Sequence, residues 1–405
     1  MEEKISPILR FDNFSDYWQT STLLSQVEVR RGLTYKPNDV RSNGARVLRS
    51  SNIVDDSFVI LDDDVFVNKE VVNIPRINNG DILVTAANGS TKLVGKHAII
   101  KKLPDDELVV HGGFMLLFKT DQSYFVNAWM SSNEYKRVLQ FVQGGNGAIG
   151  NLSSTILKSM KMSIPSPNEQ SAIGSLFRTL ADLLDSYKDN LANYQSIKAT
   201  MLSKMFPKAG QTVPEIRLDG FKGEWKEKTL GSLGSVAMNK RIFKNETSEN
   251  GDIPFYKIGT FGGTADAFIS KEKFKEYKEK YPYPEIGDIL ISASGSIGRT
   301  VVYNGEDAYY QDSNIVWLKH NQQLDNSYLK QYYGIIKWSG IEGTTIKRLY
   351  NKNILETNIF LPPSVAEQQA IGTYFSNLDN LIFAHQEKIS QLETLKKKLL
   401  QDMFI

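Results

Sequence analysis

The sequence predicts an α+β protein built twice over: two β-rich α/β globules joined by two long antiparallel coiled-coil helices, with an internal pseudo-twofold repeat. Three observations carry this. Glu169 to Phe206 aligns without a gap onto Glu367 to Phe404, with 12 of 38 positions identical. Both segments hold an apolar stripe at helical spacing. Between them, short β-prone runs alternate with Gly, Asn and Asp turns.

The repeat extends beyond the helices. Pro7, Arg10, Asp12, Phe14 and Trp18 correspond to Pro214, Arg217, Asp219, Phe221 and Trp225, and Gly80-Asp-Ile-Leu-Val-Thr-Ala to Gly287-Asp-Ile-Leu-Ile-Ser-Ala. A frame shared in this order, with inserts that differ in sequence and length, suits two readers of different targets.

The first globule is expected over residues 1–164. Phe58-Val-Ile-Leu, Asp81-Ile-Leu-Val-Thr and Phe114-Met-Leu-Leu-Phe read as strands, and Asn127 to Val142 as a helix. The first long helix occupies 165–208. Its stripe is Ile173, Phe177, Leu180, Leu184, Tyr187, Leu191, Tyr194, Met201 and Met205, a coiled-coil seam that Pro207 stops. The second globule, 209–361, repeats the pattern with Asp288-Ile-Leu-Ile-Ser and Asn314-Ile-Val-Trp-Leu as strands and Ser327 to Trp338 as a helix. The last helix, 362–405, places Ile371, Phe375, Leu378, Ile382, His385, Ile389, Leu392, Leu399 and Met403 in register with the first stripe; Lys198 and Lys396 interrupt both at the same point. Thirty-eight residues at 1.5 Å each extend about 57 Å, too long to bury a stripe inside one small domain, so the two stripes are expected to bury each other. Separate helices packed on their own globules are the alternative.

Composition excludes several classes. The chain of 405 residues exceeds what one core supports. It has no cysteine, which removes disulfides and thiolate metal sites. Met1 to Arg10 does not read as a secretory signal, and no apolar run reaches membrane-spanning length, so a cytoplasmic protein is expected. A net charge of +2 leaves any polyanion contact to local clusters. Enzyme signatures are missing: the four histidines show no metal-ligand spacing, and no dinucleotide-binding glycine pattern occurs. Leu361-Pro-Pro-Ser lacks the ends of an amino-methyltransferase motif. The loop from Ala87 to Lys96 departs from a phosphate-binding loop, with five residues between Gly89 and Gly95 and His97 where Ser or Thr is required.

Both halves do keep a polar turn ending in a cation. Asn88, Ser90, Lys92 and Lys96 in the first, and Ser294, Ser296 and Arg299 in the second, are suited to phosphates or base edges. A second candidate surface precedes each helix: Asn146 in one half, and Thr345, Lys347, Arg348 and Asn351 in the other. Arg46 and Arg49, and Lys240, Arg241 and Lys257, are further candidates for phosphate contact. Each also fits an ordinary solvated surface.

Pro214-Glu-Ile-Arg-Leu-Asp-Gly-Phe-Lys-Gly-Glu-Trp and Leu361-Pro-Pro-Ser-Val-Ala-Glu-Gln-Gln-Ala-Ile-Gly, with weaker copies at Pro7 to Trp18 and Ile164 to Gly174, resemble the opening and helix-start motifs of type I restriction-modification specificity subunits. The resemblance covers the whole chain. It implies two target recognition domains that each read half of a split double-stranded DNA site, and helices that bind methyltransferase subunits, two in number, with restriction subunits completing the complex. S-adenosylmethionine, ATP and Mg would serve those partners, leaving this chain without a cofactor or catalytic residue. The first half departs from the pattern at Asn13 and Ser15, and Asn146 to Leu152 is only a degraded partner of the Gly343 to Leu349 run. A fused restriction-methylation enzyme and a structural coiled-coil adaptor are the rival readings.

Overall fold

The computed structural model describes residues 6–143, 150–340 and 348–404. The chain forms two compact units: Met1–Lys188 with Glu387–Ile405, and Asp189–Gln386. Each long helix is thus shared by the two, where the sequence suggested four consecutive segments.

In the first unit, Gln19–Thr22 pairs antiparallel with Lys161–Ile164 and closes the globule at the start of the helix. A four-stranded sheet has the order His97–Ile99, Ile82–Thr85, Met115–Lys119, Glu28–Arg31, all antiparallel. A second has the order Leu108–His111, Ala45–Leu48, Val65–Val67, Val40–Arg41, with the first pair parallel. Ile82 and Val84 enter one core and Leu83 another, so the central strand is covered on both faces. That explains its unbroken apolar run.

The second unit repeats this topology. Lys226–Thr229 pairs with Asn358–Leu361. The main sheet runs Thr300–Val302, Ile289–Ser292, Ile315–His320, Gly234–Ala237. The smaller sheet places Tyr309–Tyr310 parallel to Ile253–Tyr256, with Phe268–Ile269 beyond. Again the central strand divides, Ile289 and Ile291 to one core and Leu290 to another.

Three expected elements differ. Asn127 to Val142 is two helices, Ser123–Ser131 and Asn133–Gln143, because Ser132 is extended and its N–H turns back to the Trp129 carbonyl. Asn326–Tyr333 stops short of Trp338, where Gly334 takes the cap. Of the Phe58-Val-Ile-Leu run only Phe58 is strand, in the short Ser57–Phe58 element. No helix among the described residues is long and apolar enough to cross a membrane, and no described group of His, Asp and Glu is arranged to hold a metal.

The long helices are Pro167–Lys204 and Val365–Asp402. The first starts on Pro167, whose missing N–H would have no helical partner at that position. In the first unit Phe177, Leu180 and Leu184 share a core with Leu392, Met403 and Phe404; in the second, Met205 and Phe206 share one with Ile371, Phe375 and Leu378. Within each unit the start of one helix therefore meets the end of the other, an antiparallel pairing. His385 lies in this seam, its ring edge-on to Tyr194 at 5.2 Å.

The repeated sequence frame becomes physical here. Glu169 takes a fork of two 2.7 Å hydrogen bonds from Arg10; Glu367 takes the same fork from Arg217, at 2.7 and 2.8 Å. Both glutamates are buried. The next residue, Gln170 or Gln368, is buried and its amide donates to a carbonyl at 2.9 Å. Glycine then permits close helix contact: a Cβ on Gly174 would lie 3.1 Å from the Phe125 nitrogen, and one on Gly372 would strike Ser327. The terminal Phe of each helix meets the repeated Trp, Phe404 on Trp18 and Phe206 on Trp225.

Candidate nucleic-acid interface

In each unit the central strand runs out into the polar turn, and the segment before the long helix returns to pair with it. The N–H groups of Ala86 and Ala87 donate to the Phe114 carbonyl, and that of Leu152 to Ala86; Gly150–Asn151 then pairs with Ala87–Asn88. In the second unit Ala293 donates to Asn314, Leu349 donates to Ala293, and Ser294 is bridged to Arg348. In the second unit Ser294 and Arg348, which the sequence presents on separate candidate surfaces, are therefore neighbours; in the first, Gly150–Asn151 takes the equivalent place beside Ala87–Asn88. By register, Asn151 stands where the other unit has Arg348, and Ala87 where it has Ser294.

In the first unit this edge borders a cleft of about 740 Å³. Thr34, Tyr35, Arg49, Ser50, Asn88 and Phe114 line it. The Asn88 amide nitrogen donates to Ser50 Oγ at 3.1 Å and its oxygen accepts the Ser90 N–H at 3.0 Å. Arg49 has a buried Nε without a hydrogen-bond partner among the described residues. Phe114 is 73% exposed. Ser90 and Lys92 are exposed and Lys96 is half-buried on the following turn. His111 lies in the neighbouring strand, and burial pushes its imidazole down to about 4.

Arg46 corrects the expectation drawn from the sequence. It is 8% exposed, its Nε and Nη2 are taken by Glu107 at 2.7 and 3.0 Å, and its Nη1 by Asp64 at 2.9 Å. The hydrogen bonds to Glu107 raise its pKa further and lower that of Glu107. A guanidinium so committed would have to leave two carboxylates behind to reach a phosphate, so Arg46 is a structural residue.

In the second unit Lys257 stands where the first has Arg49. Each follows the strand that pairs parallel with its neighbour, and each donates its backbone N–H to a side chain three residues on, Asn52 or Thr260. Lys257 Nζ is 2.8 Å from Asp266. Arg241 Nε is 3.1 Å from Asp312, and Arg348 Nη2 donates to the Ser313 carbonyl at 3.1 Å. Ser294 Oγ donates to Asn314 Oδ1 at 2.9 Å, and Arg299 Nη1 to the Phe261 carbonyl at 2.8 Å. Lys240 lies over the Tyr281 ring, 5.1 Å from its centroid. Ser296 is exposed, and Asn351 is exposed at the start of a short helix. Asp312, Ser313 and Asn314 are thus the hub that holds Arg241, Arg348 and Ser294 together. Asn146, Thr345 and Lys347 lie outside the described residues.

Sequence reasoning missed Phe114, Tyr35, Asn151 and Asp312. Phe114 opens an apolar run and reads as one more core residue, and Asn151 becomes notable only through its register with Arg348.

A family model described as the type I restriction modification DNA specificity domain matches residues 222–394. A Haemophilus influenzae protein that bears the name of a type I restriction enzyme specificity subunit is 55% identical over 153 residues, 38% of this chain and 40% of that protein. The chain therefore matches less than half the length of that relative. The StySPI specificity subunit of Salmonella potsdam is 24% identical over 425 residues, covering 96% of this chain and 88% of its own length. The crystal structure of a type I restriction-modification S subunit from M. genitalium shares the fold over 99% of both chains, with a TM-score of 0.67 and 16% identity.

Proposed function

We propose that this chain, a member of the type I restriction-modification specificity subunits, is the DNA-reading component of such a complex, each unit reading one half of a bipartite, asymmetric site in double-stranded DNA. One observation carries the reading: a single strand framework occurs twice and presents different side chains at equivalent positions, Arg49 against Lys257, Ala87 against Ser294, Asn151 against Arg348. A duplicated scaffold with unlike contact residues matches two unlike half-sites. Cations at these edges contribute affinity through phosphates, and amides and hydroxyls contribute discrimination at base edges.

The chain acts in this reading without catalysing. Two methyltransferase subunits dock through the long helices, and restriction subunits complete the assembly. S-adenosylmethionine serves methyl transfer, and ATP and Mg serve restriction, each on a partner. Methylome sequencing of cells expressing the chain with its methyltransferase subunit, against that subunit alone, tests this. The expected result is a new split adenine-methylated motif with unlike halves. A stable complex that produces no motif would leave the coiled-coil adaptor as the better reading.

A further inference from the structure

The cleft of the first unit holds an unusual pair of polar groups. Arg49 makes no ion pair among the described residues, and its Nε is buried without a hydrogen bond. The Nε is shielded from solvent, and no described residue accepts from either Nη group, so the outer edge of the guanidinium is uncommitted where it lines the cleft. Asn88 is half-committed. Ser50, the residue after Arg49, takes one amide hydrogen, and the Ser90 N–H occupies one lone pair of the carbonyl. Those two bonds fix which way the amide faces and leave one donor and one acceptor free, the pattern that complements the N6 and N7 edge of adenine. Phe114 stands exposed at the same cleft, an apolar surface of the kind that meets a thymine methyl.

Resting on the DNA-reading role proposed above, we infer that Arg49 and Asn88 are the base-reading pair of the first unit: Arg49 takes the O6 and N7 edge of a guanine, Asn88 takes a neighbouring adenine, and Phe114 packs on the adjoining base. The other unit does not repeat this pair. Lys257, at the position of Arg49, lacks the planar fork and its ammonium is paired with Asp266 at 2.8 Å. Arg46, three residues from Arg49, takes no part because its own donors are used internally.

The test uses the full chain in complex with its methyltransferase partner and DNA carrying 7-deazaguanine at each guanine of the site in turn. In the unaltered complex, one such replacement in a single half-site should weaken binding about tenfold. Arg49→Ala should bind the unmodified site about tenfold more weakly and become indifferent to that replacement, with discrimination in the other half-site retained. Arg49→Lys, which keeps donors and charge but loses the planar fork, should bind more tightly than Arg49→Ala and discriminate at that guanine less sharply than the unaltered complex. Asn88→Ala should relax an adjacent A·T position. A uniform loss of affinity over all sequences would mark a phosphate contact, and a loss of discrimination in both half-sites alike would mark a structural residue; either overturns the assignment. Full discrimination in Arg49→Ala would overturn it while leaving the DNA-reading role intact. Absence of any bipartite site in the unaltered complex would overturn both.

Discussion

Replacing Arg10 by methionine isolates the contact that the repeated motif exists to make. Glu169 is fully buried, and both its oxygens are held by Arg10 at 2.7 Å. Removing the guanidinium leaves a buried carboxylate without its counter-charge, which costs about 3–5 kcal/mol, or a factor of about a hundred to a few thousand in the folding equilibrium of the first unit. The double variant Arg10→Met, Glu169→Met replaces the pair by apolar groups of similar length and should recover most of that loss. Hydrogen exchange followed by mass spectrometry under increasing urea separates the two units, so the shift should be confined to Met1–Lys188 and Glu387–Ile405. Arg217→Met is the internal control, with the equivalent loss in the second unit. A loss under about 1 kcal/mol in Arg10→Met, or a double variant no better than the single, would refute the claim that the buried pair ties the opening motif to the helix.

Three further outcomes are expected. His111 has a folded value of about 4 against about 6.5 for an exposed imidazole, so the unfolded state binds more protons between these values; its stabilisation is complete above about pH 6.5 and falls by about 2 kcal/mol by pH 5. His97, also held low by burial, adds in the same direction, and urea midpoints of the first unit at pH 7 and pH 5 should show the loss, which His111→Gln should reduce. Phe404→Ala removes a ring that meets Trp18, Phe125 and Phe177, and should cost the first unit about 3–5 kcal/mol in the same exchange measurement. Inserting four residues after Tyr187 and four after His385 adds one helical turn, about 6 Å, where the chain passes between units. The methylated motif should then change its unspecified spacer by one or two base pairs, about 3.4 Å each, while both half-site sequences stay the same; altered half-sites would count against one reader per unit.

The amino-acid sequence by itself determined the repeat, the two long helices and the fold class. Those features are written in one-dimensional signals: a constant offset between Glu169 to Phe206 and Glu367 to Phe404, apolar residues every third or fourth place, and prolines close to where the helices begin. Burial on one side of a long helix leaves a trace in sequence because every turn must supply an apolar residue. Only the tertiary structure decided which polar residues face a cleft and which are spent inside. Arg46 and Arg49 are three apart and look alike in sequence, yet one is locked between Glu107 and Asp64 and the other, without an ion pair among the described residues, lines the same cleft as Asn88. The partners of Arg46 lie 18 and 61 residues away, and Asn88 meets Gly150 across 62, so neither commitment leaves a local pattern to read. Strand register settles such pairings, and register is fixed by the packing of both sheet faces.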